Sequence, residues 1–217
     1  MAVLIPGPHA GQPVVAMGQP LGRAPVVMIL LHGRNARPED ILNLVPAFER
    51  NDVTYLAPAA AGGSWYPLGF MSAIDSNEPG ISSAIAVVHG LIDQAAVHGV
   101  PNDHIVLLGF SQGACLASTA AQRRPARYGG VVAYSGGLIG PPGTTWTEQG
   151  AFMGTPAFLG CSDRDVHIPE ERVRASGAVL ERMGAAVTLR IYPGMGHLVN
   201  GDEIAFTRDL LGTLAGT

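Results

Sequence analysis

Short apolar runs alternate with amphipathic segments along most of this chain, and this alternation predicts its elements. Runs rich in apolar and β-branched residues predict buried strands at 26–31, 53–57, 105–108, 131–135, 156–160 and 186–192. Apolar residues at helical spacing predict helices at 38–45, 80–98, 114–124, 170–183 and about 202–214. Residues 1–24 are rich in glycine and proline, and only a short edge strand at 14–16 is predicted there.

Strands that alternate with helices predict a mostly parallel sheet with helices on both faces. The chain has 217 residues, a length that suits one domain with a full core. No internal repeat, low-complexity tract or linker divides it, so a single α/β domain over 1–217 is expected. Two long segments, 59–80 and 136–154, are predicted to be loops, and loops of that length are usually functional or mobile.

Composition narrows the class of protein. Hydrophobic residues make up 47% of the chain and charged residues 14%, which indicates a folded globular protein. The net charge is −4 and no basic run exceeds Arg123-Arg124, so neither nucleic acid nor an anionic membrane is expected as a partner. We expect no signal peptide and no membrane span, and Cys115 and Cys161 alone do not predict a disulfide scaffold. A reduced, cytoplasmic protein is therefore expected.

The segment Gly109-Phe-Ser111-Gln-Gly113 joins a predicted strand to a predicted helix. A G-x-S-x-G at such a turn forms a nucleophile elbow, in which the glycines make room for a strained turn that exposes the serine hydroxyl. The bare pattern also occurs in ordinary glycine-rich turns, but the strand–turn–helix context favours the catalytic interpretation. The amide of Gln112 then points to the helix start, where backbone donors favour an oxyanion.

Candidate catalytic residues follow the carboxyl ends of the predicted strands, where ligands bind in such sheets. These are Ser111, then Asp163 and Asp165, and finally His197. The order Ser, Asp, His is that of an α/β-hydrolase. A serine becomes nucleophilic when an imidazole takes its proton, and a carboxylate orients that imidazole.

Four motifs resemble the phospholipase/carboxylesterase family, which includes the acyl-protein thioesterases. They are Leu30-Leu-His-Gly-Arg, Gly-Phe-Ser-Gln-Gly-Ala, Gly-x-x-Asp…Ile-Pro and Gly-x-Gly-His. The resemblance covers roughly residues 26–211 and implies an α/β-hydrolase core without a large lid domain. It also implies ester hydrolysis through an acyl-enzyme.

The predicted site consists of Ser111 as nucleophile, His197 as general base and Asp165 as its orienter. The amide of Gln112 and one in the loop 32–35, which we assign to Arg34, are the predicted oxyanion donors. The acid remains ambiguous: counting from Gly160 selects Asp163, whereas counting back from Ile168-Pro169 selects Asp165, which we favour. The other aspartate is then a loop cap.

Two features depart from the family pattern. Asn35 stands where glycine is usual, and the acidic loop is two residues longer than in the thioesterases. His32 is expected to shape the oxyanion loop, and His167 to pack rather than to contact substrate. The residues predicted to bind substrate are Trp65, Tyr66, Phe70, Leu138 and Met195. No metal-ligand spacing or nucleotide-binding motif occurs, so no metal and no cofactor is expected.

These features predict a serine carboxylesterase that acts on small-molecule esters with small to medium acyl groups. The rival in the same class is an acyl-thioesterase or lysophospholipase with the same machinery. Rivals from other classes are a ligand-binding protein that kept the fold without hydrolysis, and a metal-free dioxygenase or lyase. An exposed apolar rim would suit a homodimer, although no pattern in the sequence shows one.

Overall fold

The described part of the chain is built on one seven-stranded sheet. A computed structural model describes residues 7–216. Its strands are β1 Val14–Gly18, β2 Val26–Leu31, β3 Val53–Pro58, β4 Ile105–Phe110, β5 Gly130–Tyr134, β6 Pro156–Ser162 and β7 Ala186–Tyr192. Its α-helices are α1 Pro38–Leu42, α2 Gly80–Val97, α3 Gln112–Arg123, α4 Glu170–Arg182 and α5 Gly201–Ala215.

The strand order is β1-β3-β2-β4-β5-β6-β7, and only the edge strand β1 runs antiparallel to its neighbour. All other neighbouring strands are parallel, from the β3–β2 pair to the β6–β7 pair. This arrangement confirms the mostly parallel sheet predicted from the sequence. All carboxyl ends of the parallel strands consequently lie at one edge of the sheet, where the loops that matter here begin.

Helices cover both faces of the sheet, and the strands divide their side chains between two cores. On β2, Val27, Ile29 and Leu31 belong to the core beneath α2, α3 and α4. The alternate residues of that strand, such as Met28, belong to the core beneath α1 and α5. Because successive side chains of a strand point to opposite faces, a strand covered on both sides is apolar throughout. This double burial is the reason for the apolar runs in the sequence.

Among residues 7–216, α2 is the one helix long and apolar enough to cross a membrane by length and composition. Its buried residues, among them Ile81, Val88 and Ile92, pack into the core that covers one face of the sheet. Over half of the helix, 56%, is buried inside the protein. The core therefore accounts for its apolar composition.

Two predicted segments differ from the structure. The helix predicted over 38–45 ends at Leu42, and a separate 3₁₀ turn follows at Val45–Phe48. Pro46 contributes to the break, because it has no N–H to donate to the carbonyl oxygen of Leu42 and cannot continue the α-helical hydrogen bonds. The loop 59–80 also contains two 3₁₀ turns, Ala61–Gly63 and Ile74–Asn77, where no element was predicted.

The turn from β4 into α3 depends on very close packing. A Cβ added at Gly109 would overlap the backbone of Gly113, and one at Gly113 would overlap the carbonyl oxygens of Leu31 and His32. The start of α3 therefore lies directly against the end of β2. This confirms that both glycines of the G-x-S-x-G motif make room for the turn.

Replacing Gly113 by alanine is expected to lower the free energy of unfolding by about 3 kcal/mol or more, because backbone must move to admit the methyl group. Gly212 offers a matched control, since it also lies within a helix but meets only Arg50 Nη1 at 3.8 Å. Gly212→Ala is expected to raise the free energy of unfolding by about 0.5–1 kcal/mol. Chemical denaturation of both variants measures the difference, and equal values would contradict the steric explanation.

Candidate active site

Three side chains meet at the carboxyl edge of the sheet although they are far apart in sequence. Ser111 follows β4 directly, Asp165 lies three residues after β6, and His197 lies five residues after β7. A fourth segment, the loop 32–36 after β2, lies beside them because β2 is the neighbour of β4 in the sheet. The strand order therefore assembles the site.

Ser111 has a strained backbone, with φ 56° and ψ −120°. Positive φ is unfavourable for a residue with a side chain, so the surroundings must hold it there. Its N–H donates to the carbonyl oxygen of Tyr134 at 2.9 Å, and its own carbonyl accepts from the N–H of Cys115 at 3.0 Å. These two bonds fix the residue between β5 and the first turn of α3.

A continuous chain of hydrogen bonds joins the serine to an aspartate. Ser111 Oγ lies 2.8 Å from His197 Nε2, and His197 Nδ1 lies 2.6 Å from Asp165 Oδ2. The structure thus brings Asp165, rather than Asp163, to the histidine. Asp163 is exposed, and its Oδ1 accepts from the N–H of Gly194 at 2.7 Å, so it caps the turn that precedes His197.

The Asp165 carboxylate is fully buried, but hydrogen bonds satisfy both of its oxygens. Oδ1 accepts from the amides of His167 at 2.8 Å and Ile168 at 3.0 Å. Burial alone would raise the pKa of this carboxyl. The bonds from His197 and from the two amides outweigh burial and hold the pKa below its usual range. Asp165 is therefore ionised at neutral pH and able to orient the imidazole.

The two backbone amides that the sequence predicts as oxyanion donors belong to residues beside Ser111. Gln112 is the first residue of α3, so its N–H has no partner within the helix. The amide of Arg34 lies in the loop after β2, and the 7–216 portion of the chain supplies no hydrogen-bond acceptor to either N–H. Both residues line the cavity beside Ser111.

His32 shapes the loop that carries Arg34. Its Nε2 accepts from the N–H of Ala60 at 3.1 Å, so the proton is assigned to Nδ1, which donates to the carbonyl oxygen of Gly33 at 2.8 Å. Burial lowers the pKa of His32 and keeps the ring neutral. With both nitrogens engaged in the loop, His32 holds the backbone in place.

A cavity of about 620 Å³ opens at Ser111. Apolar side chains form most of its wall, and its main apolar residues are Ile41, Leu44, Tyr66, Phe70, Phe110, Ile168 and Val199. Of the five residues predicted to bind substrate, the structure places Tyr66 and Phe70 on this wall. A mainly apolar wall beside a polar reactive group is typical of a small-molecule site.

The other three lie away from the cavity lining, which corrects the sequence prediction. Trp65 is fully buried, and its indole N–H donates to the carbonyl oxygen of His32 at 2.9 Å. Leu138 is fully buried too, and Ser176 Oγ accepts from its N–H at 2.8 Å. The sulfur of Met195 accepts from Asn200 Nδ2 at 3.0 Å, within the turn around His197. All three serve the packing of loops rather than the cavity.

Phe110 and His167 have contacts at the site that the sequence analysis did not assign. Each ring centre lies 4.9 Å from that of His197, and the His167 ring meets it edge-on. Both residues also line the cavity. Adjacency to Ser111 and Asp165 was the sequence signal for these two.

The side chain of Gln112 has a function that its backbone position did not suggest. It is buried, its Oε1 accepts from the N–H of Trp65 at 2.9 Å, and its Nε2 donates to the carbonyl oxygen of Tyr66 at 2.8 Å. Arg34 binds the same loop further along, donating from Nη1 to Pro67 O at 2.7 Å and from Nη2 to Leu68 O. The loop 59–80 is thereby pinned over the cavity.

Known proteins of one family resemble this chain in sequence and in structure. The family model described as phospholipase/carboxylesterase matches residues 16–215. The chain belongs to this family. A phospholipase/carboxylesterase structure from Dyadobacter fermentans matches with a TM-score of 0.88 at 35% identity, covering 93% of this chain and 96% of that one. The α/β-hydrolase fold predicted from the sequence is thus confirmed.

Curated relatives of this family match over shorter stretches. A probable carboxylesterase of Oryza sativa is 29% identical over 146 residues, 65% of this chain and 54% of that protein. An acyl-protein thioesterase 1 of Gibberella zeae is 30% identical over 129 residues, 58% of this chain and 54% of that protein. The chain thus spans about half the length of these curated relatives.

One departure from the family pattern has a backbone explanation. Asn35 replaces the usual glycine, and its φ is 59°, in the left-handed region. Glycine adopts this region freely, and asparagine is among the side-chain-bearing residues that tolerate it best. Its N–H donates to the carbonyl oxygen of Gly63 at 2.8 Å, which holds the conformation. Asparagine can therefore adopt the backbone conformation that this position requires.

Gln112→Glu is expected to destabilise the protein increasingly as pH rises. A glutamate still accepts from the N–H of Trp65, but its ionised second oxygen would face the carbonyl oxygen of Tyr66. The folded state therefore favours the protonated acid and raises its pKa, so stability is lost as pH rises through that value. We expect a loss of about 1–3 kcal/mol at about pH 8 and less at about pH 5.

Urea denaturation at both pH values measures this loss. The exposed Gln94, in the last turn of α2, provides the same substitution without buried contacts. If Gln112→Glu and Gln94→Glu lose equal stability at both pH values, the side chain of Gln112 does not anchor the loop.

Proposed function

We propose that this protein is a serine carboxylesterase that hydrolyses small to medium acyl esters through an acyl-enzyme. The observation that carries this proposal is the hydrogen-bonded chain from Ser111 through His197 to a buried Asp165, ending at a 620 Å³ cavity. Family membership supports the same class of reaction. The strained backbone of Ser111 costs the fold free energy, and such strain is typical of functional sites.

In the first step Ser111 Oγ attacks the carbonyl carbon of the ester, and His197 Nε2 takes the hydroxyl proton. The 2.8 Å separation of these atoms suits direct proton transfer. Asp165 holds the Nδ1–H tautomer and stabilises the imidazolium that forms, because its carboxylate is ionised and 2.6 Å away. The tetrahedral carbon then bears an oxyanion.

The amides of Arg34 and Gln112 are proposed to bind that oxyanion, and each is expected to stabilise the transition state by about 3 kcal/mol. The positive end of α3 adds to the effect, since Gln112 is its first residue. Collapse of the intermediate passes the proton from His197 to the leaving alcohol and leaves Ser111 acylated. A water molecule, activated by His197 in the same way, then releases the acid.

The size and lining of the cavity support the proposal of small to medium substrates. Its volume is within the range of small-molecule sites, and its wall combines aliphatic side chains from the α1 region with the rings of Tyr66, Phe70 and Phe110. The loop 59–80 is pinned by buried hydrogen bonds, so it forms a preformed wall rather than a cover that must open. Dissolved esters of short chain length are accordingly the proposed substrates.

Acyl-thioester hydrolysis is the second candidate, favoured by the similarity to an acyl-protein thioesterase 1. The attacking group and the oxyanion donors are the same in both reactions, so only the leaving group distinguishes them. Rates on p-nitrophenyl acetate, butyrate and octanoate, compared with those on an acyl-thioester and a lysophospholipid, separate the candidates. Higher kcat/KM on thioester or lysolipid than on every p-nitrophenyl ester would replace the carboxylesterase proposal.

Ser111→Ala is expected to lower kcat on p-nitrophenyl butyrate by about 10⁶-fold, the size of loss seen in other serine hydrolases. Asp165→Asn is expected to lower it by about 10⁴-fold, because the amide leaves the imidazole in the wrong tautomer. Asp163→Asn is the matched control: its Oδ1 still accepts from Gly194 N–H, so a change of less than about threefold is expected.

Fluorophosphonate labelling of the wild type and of Ser111→Ala gives an independent readout of the nucleophile. The wild type should be labelled at Ser111 and the variant should not. A folded wild type that neither reacts with the probe nor hydrolyses any ester would overturn the proposal in favour of a ligand-binding protein or of lyase chemistry.

A further inference from the structure

A buried acid lies next to the turn that carries the proposed base. Glu203 is fully buried and lies in the first turn of α5, six residues after His197. Its Oε2 accepts from the backbone N–H of Asn200 at 2.9 Å, while Asn200 Oδ1 accepts from the N–H groups of Asp202 at 2.9 Å and Glu203 at 3.0 Å. This reciprocal capping box joins the 197–200 segment to α5.

The first turn of α5 is itself anchored to the sheet. The hydroxyl of Tyr134, on β5, donates to the carbonyl oxygen of Glu203 at 3.0 Å. Gly160, on β6, leaves the space that the Glu203 carboxyl fills, since a Cβ added there would overlap Oε1. Glu203 is therefore wedged between the sheet and the segment that leads back to His197.

Burying the carboxyl group of Glu203 lowers the stability of the folded protein. Its Oε1 has no hydrogen-bond partner among the described residues. The titratable groups around it are Tyr134, Cys161 and Tyr192 on the neighbouring strands and Asp202 on its own helix, and none of them is a cation. Burial, opposed by the Asn200 amide and assisted by Asp202, raises the pKa of Glu203 to about 7. A capping box with a structural role alone does not require an ionisable group, because a neutral side chain that accepts the same hydrogen bond has a smaller free-energy cost of burial.

We propose that Glu203 is a positioning residue for His197, and that its charged form fixes the 197–200 segment so that the imidazole reaches Ser111. This inference rests on the proposed esterase function. An ionised carboxylate makes a shorter and stronger bond to the Asn200 N–H than a neutral acid does, and the N-terminus of α5 favours its negative charge. Protonation of Glu203 weakens that bond and so loosens the 197–200 segment, which carries the base.

Glu203→Gln tests the proposal, because glutamine keeps the size of the side chain and an oxygen for Asn200 but cannot ionise. We expect wild-type kcat/KM on p-nitrophenyl butyrate to exceed that of the variant about tenfold at about pH 8.5, the factor that matches a charged hydrogen bond. The ratio should fall towards one at about pH 5.5, where the wild-type carboxyl is protonated. Taking the ratio removes every effect of pH that the two proteins share.

Stability should change in the opposite direction from activity. Because the folded-state pKa of Glu203 lies above the ordinary value of 4.5, the wild type loses stability as pH rises through about 7. The melting temperature of Glu203→Gln should therefore exceed that of the wild type by more at about pH 8.5 than at about pH 5.5. A merely structural acid would lose activity and stability together.

Glu171→Gln is the matched control, since Glu171 lies in the first turn of α4 and is exposed. It should leave the activity ratio near one at every pH. Gly160→Ala is a second variant that displaces the Glu203 carboxyl without removing it, and it should show the same loss near pH 8.5 as Glu203→Gln.

A wild type that hydrolyses esters and is labelled at Ser111, with a ratio to Glu203→Gln that does not vary with pH, would overturn the positioning inference alone. A wild type without hydrolysis or labelling would instead overturn the proposed function on which it rests. If Glu203→Gln does not fold, a Gly160→Ala variant with wild-type activity near pH 8.5 would overturn the inference.

Discussion

The close contact between the start of α3 and the end of β2 is the constraint on which the site depends. Gly113 makes this contact possible, Gly109 makes room for the backbone of Gly113, and the strained Ser111 lies between the two glycines. The same contact brings the amide of Gln112 beside the loop that carries the amide of Arg34. The proposed nucleophile and both proposed oxyanion donors thus follow from a single packing arrangement, in which the surrounding sheet holds one residue in a strained conformation.

The proposed base is positioned by a loop that is held from two sides. On the β6 side, Ser162 Oγ accepts from the N–H of Gly196 at 2.9 Å, and Asp163 accepts from that of Gly194. On the α5 side, the capping box of Asn200 and Glu203 ties the segment after His197 to a helix anchored on β5. Because both attachments are to regular elements, the imidazole is placed by the scaffold rather than by its own loop.

The cavity is formed in a comparable way. The loop 59–80 carries Tyr66 and Phe70, and buried polar side chains outside the loop hold its backbone: Gln112 binds at Trp65 and Tyr66, and His9 Nε2 lies 2.9 Å from Trp65 O. Buried hydrogen bonds of this kind are expensive to break, which makes the wall rigid.

The sheet, the elbow and the candidate residues at the strand ends could be predicted from the sequence, because they depend on local signals. Apolar runs mark strands buried on both faces, and Gly109, Ser111 and Gly113 mark the turn. Tertiary contacts determine that Asp165, and not Asp163, is the partner of His197. They also place three predicted substrate-binding residues outside the cavity lining, namely Trp65, Leu138 and Met195. Loop side chains are directed by contacts with residues distant in sequence, as Trp65 is by His32, and no local pattern records those contacts.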